Sequence, residues 1–167
     1  MGPTHRLLSG CCAAAYECQR APCLRPSSGK SMIYLLDTGP LVSALASREP
    51  KFGPWAQELV RRLPRPLYSC EAVLTEASHF LGSAAPVLSA VADGLVICPW
   101  DLCEHQARVG ELVGKYFDQP MDLADACLVA MSEQWWDCKI ITVDATDFRV
   151  YRRRGRHTIP LLIPPST

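Results

Sequence analysis

The sequence predicts an α/β domain with three layers, in which helices cover both faces of a central parallel sheet. Short apolar runs of the length of buried strands alternate with stretches whose apolar residues recur at helical spacing. Two of these runs, 32–36 and 139–143, are each followed by an aspartate. Sheets of this kind hold their ligands outside the carboxyl ends of the strands, so both acids are expected at that edge.

The composition favours one domain and leaves its partner open. The chain has 167 residues, with 17 acidic and 17 basic side chains, so net charge does not indicate a nucleic-acid partner. Because no apolar run approaches the roughly 18 residues of a membrane span, we expect a soluble cytoplasmic protein without membrane attachment. The nine cysteines are scattered and none are spaced as Cys-x-x-Cys, which favours reduced thiols over a zinc site.

Residues 1–31 differ from the rest of the chain. They are rich in Arg, Ser, Pro and Cys, contain one acid (Glu17) and show no helical or strand period. We interpret them as a disordered N-terminal extension to a domain at 32–163, with 164–167 as a short tail. Met32 stands directly before the first strand, so a mis-assigned start codon would explain the extension; a targeting peptide is the alternative.

The first half of the domain contains three predicted helices. Thr38-Gly-Pro breaks the chain after the first strand, and the next apolar residues, from Leu41, recur at helical spacing. A second helix follows the breakers at 50–54 and ends before Pro64. A short strand at 67–70 then leads to a helix at 71–81, with Ser69 as its expected N-cap and Gly82 after its end.

The second half repeats the alternation. We predict a helical turn at 87–92, a strand at 95–98 and a surface helix at 101–116. The most strongly apolar helix starts at Asp122 and runs to about residue 136. The strand at 139–143 and a last strand at 158–163 complete the sheet.

Asp37 and Asp144, at the same sheet edge, predict a metal site. Two neighbouring carboxylates repel each other, and burying them costs several kcal/mol unless a cation neutralises them. Hard oxygen ligands suit Mg²⁺ or Mn²⁺, which can polarise a phosphate and lower the pKa of a bound water. The pattern therefore indicates phosphodiester cleavage.

Simpler structural roles remain open for these acids. Asp37 would cap the helix that follows it, and Asp144 would occupy a turn. Glu76, in the helix at 71–81, lies either near its apolar face or at a solvated edge.

Three further acids follow later in the chain. Asp122 precedes Asp125 by three residues, the spacing of an N-cap and its capping-box partner. Asp125 then begins a helix that is apolar nearly all round, where a buried acid needs a partner. Asp147 is expected to be a turn or capping acid.

Four segments in order resemble the PIN-domain family: 34–41 (YLLDTGPL), 74–77 (LTEA), 121–130 (MDLADACLVA) and 141–148 (ITVDATDF). The resemblance spans 32–163 and is strongest to the VapC-like ribonuclease toxins of bacterial type II toxin-antitoxin systems. It implies a PIN-like three-layer α/β/α domain with a central parallel sheet.

The resemblance also implies a function. It places Asp37, Glu76, Asp125 and Asp144 around Mg²⁺ or Mn²⁺ as the catalytic and metal-binding quartet of an RNA-hydrolysing endoribonuclease. Partners implied in the same way are a cognate antitoxin protein, whose tail occupies the acidic site, and a second copy in a homodimer. Thr142 matches a small hydroxyl residue of the family and would orient a carboxylate or water, with a plain strand threonine as the alternative. The family gives no fixed role to Asp122 and Asp147, which are further candidates to surround the metal ligands.

A dense basic cluster follows the last of these acids. It consists of Arg149, Arg152, Arg153, Arg154 and Arg156. We predict that these arginines lie near the metal and bind RNA phosphates, with a solvated loop as the alternative. Tyr151, within the cluster, either stacks on a base or packs before the last strand.

Three other interpretations compete with that of a metal-dependent ribonuclease. Residues 35–39 (LLDTG) also resemble an aspartic-protease signature, but that fold is nearly all β. A dehalogenase-type phosphatase needs a second aspartate two residues after the first, where Gly39 stands. A PIN-like module that binds RNA or protein without catalysis would be favoured by loss of a quartet acid, and none is lost.

Overall fold

The computed structural model describes residues 32–119 and 121–165. The predicted extension at 1–31 and the last two residues of the predicted tail lie outside these ranges. Helices and strands alternate in the order β1 (Ile33–Leu36), α1 (Thr38–Leu45), α2 (Gly53–Arg62), β2 (Leu67–Tyr68), α3 (Glu71–Phe80), α4 (Ala85–Ala92), β3 (Val96–Ile97), α5 (Leu102–Lys115), α6 (Leu123–Gln134), β4 (Cys138–Ile141), α7 (Ala145–Val150) and β5 (Leu161–Leu162).

The five strands of the described residues form one parallel sheet in the order β3-β2-β1-β4-β5. The central strand β1 pairs with β4 over its full length, from Ile33 opposite Cys138 to Leu36 opposite Ile141. The predicted three-layer α/β fold is confirmed. Because β1 and β4 are neighbours, the segments that follow them start at the same edge of the sheet.

Helix α6 is the most buried helix, as predicted. It packs against β1 and β4 and against α5, and eight of its residues from Ala124 to Ser132 are buried. Small residues such as Ala124, Ala126 and Ala130 allow the close approach of its neighbours. The strands β1, β2 and β4 add further core residues, as expected of central parallel strands.

The structure corrects the predicted start of α1 and the N-cap of α3. Thr38 does not break the chain: α1 begins there, with Pro40 in its first turn, where the missing N–H has no intrahelical partner to lose. The N-cap position of α3 is held by Cys70 instead of Ser69. Ser69 is buried, and its hydroxyl donates to Leu36 O of β1 at 2.9 Å. The hydroxyl that was expected to cap α3 is therefore bonded to the sheet.

Several predicted elements differ in length. The strands expected at 67–70, 95–98 and 158–163 are each two residues long, and α7 was not predicted. The two edge strands, β3 and β5, are so short that they leave few backbone N–H and C=O groups unpaired. Of the helices in the described ranges, none combines the length and apolar character needed to cross a membrane. The five cysteines of these ranges are free thiols.

Candidate metal centre

A cavity of about 480 Å³ opens at the carboxyl ends of β1 and β4. Seven acids line it: Asp37, Glu49, Glu76, Asp122, Asp125, Asp144 and Asp147. The other lining residues are small or apolar, namely Thr38, Gly39, Val42, Ser43, Phe80 and Val143. The structure thus brings together all four predicted quartet acids and two of the three further candidates.

Asp37 is the most buried of these acids. It is 8% exposed, and both of its carboxylate oxygens accept hydrogen bonds, Oδ1 from Thr38 N at 2.7 Å and Oδ2 from Thr142 Oγ1 at 2.8 Å. Burial raises the pKa of Asp37 to about 6 despite these two donors, and repulsion by Glu76 and Asp122 adds to the rise. Asp37 therefore both begins α1 and presents a fixed carboxylate to the cavity.

Thr142 links the ends of the two central strands. Its side chain is fully buried; the hydroxyl donates to Asp37 and accepts from Asp144 N at 2.9 Å. Thr142 itself does not line the cavity. It positions the loop that carries Asp144 relative to the carboxylate of Asp37.

Glu76 enters the cavity from α3. It is half-buried, and its Oε2 accepts from the hydroxyl of Thr38 at 2.7 Å. Thr38 therefore contacts two of the acids, through its backbone N–H and its hydroxyl. Thr38 was predicted only as part of a chain break, although a hydroxyl next to the candidate ligand Asp37 was a signal for this role.

Asp122 and Asp125 lie at the start of α6. Asp122 is the N-cap, and its Oδ1 accepts from Asp125 N at 2.8 Å, as the three-residue spacing predicted. The pKa of Asp125 is raised to about 8, mainly by burial and further by repulsion from Asp122 and Asp37. Without a cation, this carboxyl group is therefore largely protonated at neutral pH.

Tyr151 holds Asp125 from the side. The tyrosine is fully buried between the rings of Tyr116 and Phe148, and its hydroxyl donates to Asp125 Oδ2 at 3.2 Å. Burial and the neighbouring acids raise the pKa of Tyr151 above its usual range, so it remains a donor. This placement leaves no ring face for a base and makes Tyr151 a positioning residue.

Asp144 and Asp147 form the more exposed side of the cavity. Asp144 is the N-cap of α7, and its Oδ1 accepts from Asp147 N at 3.3 Å. Asp147 lies in the first turn of α7, and burial, with repulsion from Asp144 and Asp122, raises its pKa above the usual range. Asp144 thus combines the turn role foreseen for it with a position on the cavity.

Glu49 also lines the cavity but already has partners of its own. Its carboxylate accepts from Phe52 N, from Gly53 N at 2.6 Å and from Lys51 N at 3.3 Å, at the start of α2. This carboxylate accepts from backbone N–H groups at the start of α2 that have no partner within the helix. Glu49 accepts three backbone N–H bonds, more than any of the other six acids, which are therefore the candidates to hold a ligand.

None of the five arginines of the basic cluster lines the cavity. Arg153 is 6% exposed; its Nη1 donates to Trp136 O at 2.8 Å, and its guanidinium lies 3.8 Å from the centre of the Trp136 ring. This placement corrects the prediction that Arg153 binds RNA near the metal.

The neighbours of Arg153 are also held by intramolecular contacts. Arg154 donates from its backbone N to Glu133 Oε1 at 2.6 Å, and Arg152 Nη1 donates to Val150 O at 3.0 Å and Tyr151 O at 2.8 Å. Arg149, Arg154 and Arg156 are exposed and stay candidates for contact with RNA.

The residues present fit a hydrated divalent cation. Within 32–119 and 121–165, no three Asp, Glu, His or Cys side chains are already arranged as a metal-ligand set. Mg²⁺ takes one or two carboxylates directly and reaches others through its own waters. Six carboxylates around one cavity, with no basic side chain among the described residues that line it, suit that mode of binding.

No family model matches this chain, and no curated protein matches it either. Its function therefore has to be inferred from the residues and their geometry.

Proposed function

We propose that this protein is a metal-dependent endoribonuclease with a PIN-like domain, hydrolysing RNA phosphodiester bonds with Mg²⁺ or Mn²⁺. The observation that supports it best is the cavity at the ends of β1 and β4, where six carboxylates meet with no described basic side chain in the lining. The resemblance of four sequence segments to PIN domains adds to it.

Asp37, Glu76, Asp125 and Asp144 are the residues that would hold the cation, directly or through its waters. The bound ion would neutralise phosphate charge and lower the pKa of a water molecule. Around it, the hydroxyls of Thr142 and Thr38 orient Asp37 and Glu76, while Tyr151 holds Asp125 Oδ2. Repulsion among these carboxylates disfavours the empty site, so a cation stabilises the arrangement.

We extend the proposal to the biological setting implied by the PIN resemblance. The protein would act as the toxin of a toxin-antitoxin pair, as a homodimer in the cytoplasm, neutralised by a cognate antitoxin protein. Co-expression with the product of a small adjacent DNA-binding-protein gene, followed by purification of a stable complex, tests this part separately. Failure to form that complex would remove the toxin assignment and leave the nuclease assignment standing.

Cleavage of labelled single-stranded RNA by the purified protein tests the nuclease activity. We expect cleavage with Mg²⁺ or Mn²⁺, none with EDTA, and losses on the order of 100-fold or more in Asp37→Asn and Asp125→Asn, each of which removes a charge that stabilises the reaction. Asp93→Asn is the matched control, because Asp93 is exposed and outside the cavity. Equal cleavage by the wild type and both cavity variants would refute the proposal; RNA binding without cleavage would favour the non-catalytic module.

A further inference from the structure

Phe80 occupies an unusual position at the edge of the acidic cavity. It is 65% exposed, yet it lines the same cavity as the carboxylates. In α3 it follows Glu76 by four residues, so the two side chains lie on one face of the helix. A single exposed apolar residue is common on protein surfaces, but this ring is placed within one helical turn of a proposed metal ligand.

Ser43 supplies a polar group to the same cavity. It is 4% exposed and lines the cavity from α1. No hydrogen-bond partner for its hydroxyl is found among the residues that the structure describes, and its oxygen is not one of the fully buried polar atoms without a partner. The hydroxyl is therefore reachable from the cavity, where a ligand would hydrogen-bond to it.

The cavity lining therefore combines two kinds of side chain. Besides the carboxylates it includes Val42, Ser43, Phe80 and Val143. A nucleotide has the complementary division, since its phosphate binds a cation and its base presents flat apolar faces. The volume of about 480 Å³ lies in the range of sites that hold small organic molecules.

We propose that Phe80 and Ser43 form a nucleotide subsite, in which Phe80 stacks on an unpaired base next to the scissile phosphate and Ser43 hydrogen-bonds to the same nucleotide. This inference rests on the proposed nuclease function and specifies its substrate as single-stranded RNA. A base within a duplex has both faces covered by its neighbours, whereas an unpaired base is free to stack on an aromatic ring.

The test measures binding of a short fluorescein-labelled single-stranded RNA by fluorescence anisotropy, with Ca²⁺ supplied as the oxygen-binding cation. We expect Phe80→Ala to weaken binding about 5- to 100-fold, Phe80→Trp to retain it, and Ser43→Ala to weaken it about 3- to 10-fold. Phe117→Ala is the matched control, because Phe117 is 85% exposed and outside the cavity. Melting temperature with and without Mn²⁺ should be the same in Phe80→Ala and wild type, since Phe80 contributes no ligand.

The outcomes separate the subsite from the nuclease activity. Cleavage by the wild type together with unchanged RNA affinity in Phe80→Ala overturns the subsite alone, and RNA binding that depends on Phe80 without cleavage overturns the nuclease alone. Absence of RNA binding by the wild type, an equal loss of affinity in Phe117→Ala, or an equal loss for a duplex RNA would each overturn the stacking role. Dissociation of a dimer by Phe80→Ala at unchanged RNA affinity, detected by sedimentation, would assign Phe80 to a protein interface instead.

Discussion

At the scale of single residues, the carboxylate of Asp37 is held from two directions. The amide of Thr38 comes from α1, and the hydroxyl of Thr142 comes from the segment after β4. Both donors favour the ionised form, but burial outweighs them and keeps the pKa of Asp37 near 6. The group is thus precisely oriented while its charge remains unfavourable in the absence of a cation.

Replacing Thr142 with valine tests this orientation. Valine keeps the shape but removes the donor to Asp37 and the acceptor of Asp144 N, leaving two polar groups without a partner. We expect the free energy of unfolding to fall by about 1–3 kcal/mol and the pKa of Asp37 to rise further. Urea denaturation in EDTA measures the first effect, and NMR titration of the carboxyl measures the second.

Thr142→Ser is the control, because serine retains the hydroxyl and should restore most of the stability and the pKa of Asp37. If valine and serine variants denature at the same urea concentration, the two hydrogen bonds contribute nothing and the positioning role is wrong.

The raised pKa of Asp125 predicts how stability depends on pH without metal. Its carboxyl titrates near pH 8 in the folded protein, whereas an unfolded aspartate titrates near pH 4. Between these values the folded state binds more protons than the unfolded state, so unfolding becomes easier as pH rises. Asp37, with a pKa near 6, acts in the same direction.

We therefore expect the contribution of these two acids to the urea midpoint in EDTA to be greatest below about pH 4 and to decline from there to pH 8. Asp125→Asn should flatten that decline, since asparagine does not titrate, whereas Asp93→Asn should leave it unchanged. If the urea midpoints of the wild type and of Asp125→Asn change by the same amount between pH 5 and 8, the expected protonation of Asp125 is contradicted.

At the scale of elements, the approach of α1 to the end of β4 depends on a glycine. A Cβ added at Gly39 would lie 2.4 Å from Val143 Cγ2, far inside van der Waals contact. The first turn of α1 carries Thr38 and follows Asp37, so any shift there moves the hydrogen bonds of two acids. Gly39 is thus required for close packing beside the cavity.

Gly39→Ala should destabilise the fold by about 1–3 kcal/mol, because one side must move to relieve the overlap. In the double variant Gly39→Ala with Val143→Ala the overlap is removed, so most of that loss should be recovered. The unfolding free energies of the two single variants and the double variant give the coupling free energy between positions 39 and 143. Additive losses would show that the contact with Val143 is not what requires glycine.

Helix α6 explains why Arg153 lies away from the position predicted for it. The first turn of α6 carries Asp125, and Ser132 O and Glu133 O near its other end accept from Arg153 and Arg154, each at 3.4 Å. Twelve residues of helix span about 18 Å. From Tyr151 to Arg153 the chain passes from Asp125 towards the other end of α6, so closeness in sequence to Asp144 did not mean closeness to the cavity.

At the scale of the whole molecule, the sequence predicted the layers and the acidic edge because both depend on local patterns. The sequence alone shows two apolar strands that are each followed by an aspartate, Asp37 or Asp144. It also shows an apolar helix that begins at Asp122. The roles of Ser69 and Thr38 were predicted wrongly, and the bond from Tyr151 to Asp125 was not predicted, because the partners of these side chains lie more than 25 residues away in the chain. Only the assembled sheet brings those groups together.

The acidic cavity makes a prediction for the molecule as a whole: its carboxylates lower the stability of the metal-free protein, and a cation should reverse that effect. A cation that binds only the folded state adds about 2.7 kcal/mol at 100 times its dissociation constant. For a domain of this size, that corresponds to a rise in melting temperature of about 5–10 °C. Thermal melting with Mn²⁺ or Mg²⁺ against EDTA at pH 8 measures it.

Asp125→Asn should separate repulsion from binding. Removing this charge relieves repulsion by Asp122 and Asp37, so the metal-free variant should melt above the metal-free wild type at pH 8. The same change removes a proposed ligand, so the added cation should raise the melting temperature of the variant less. Asp93→Asn, outside the cavity, should follow the wild type in both respects. A variant that melts lower without metal yet gains as much from Mn²⁺ as the wild type would show that Asp125 holds the fold and not the cation.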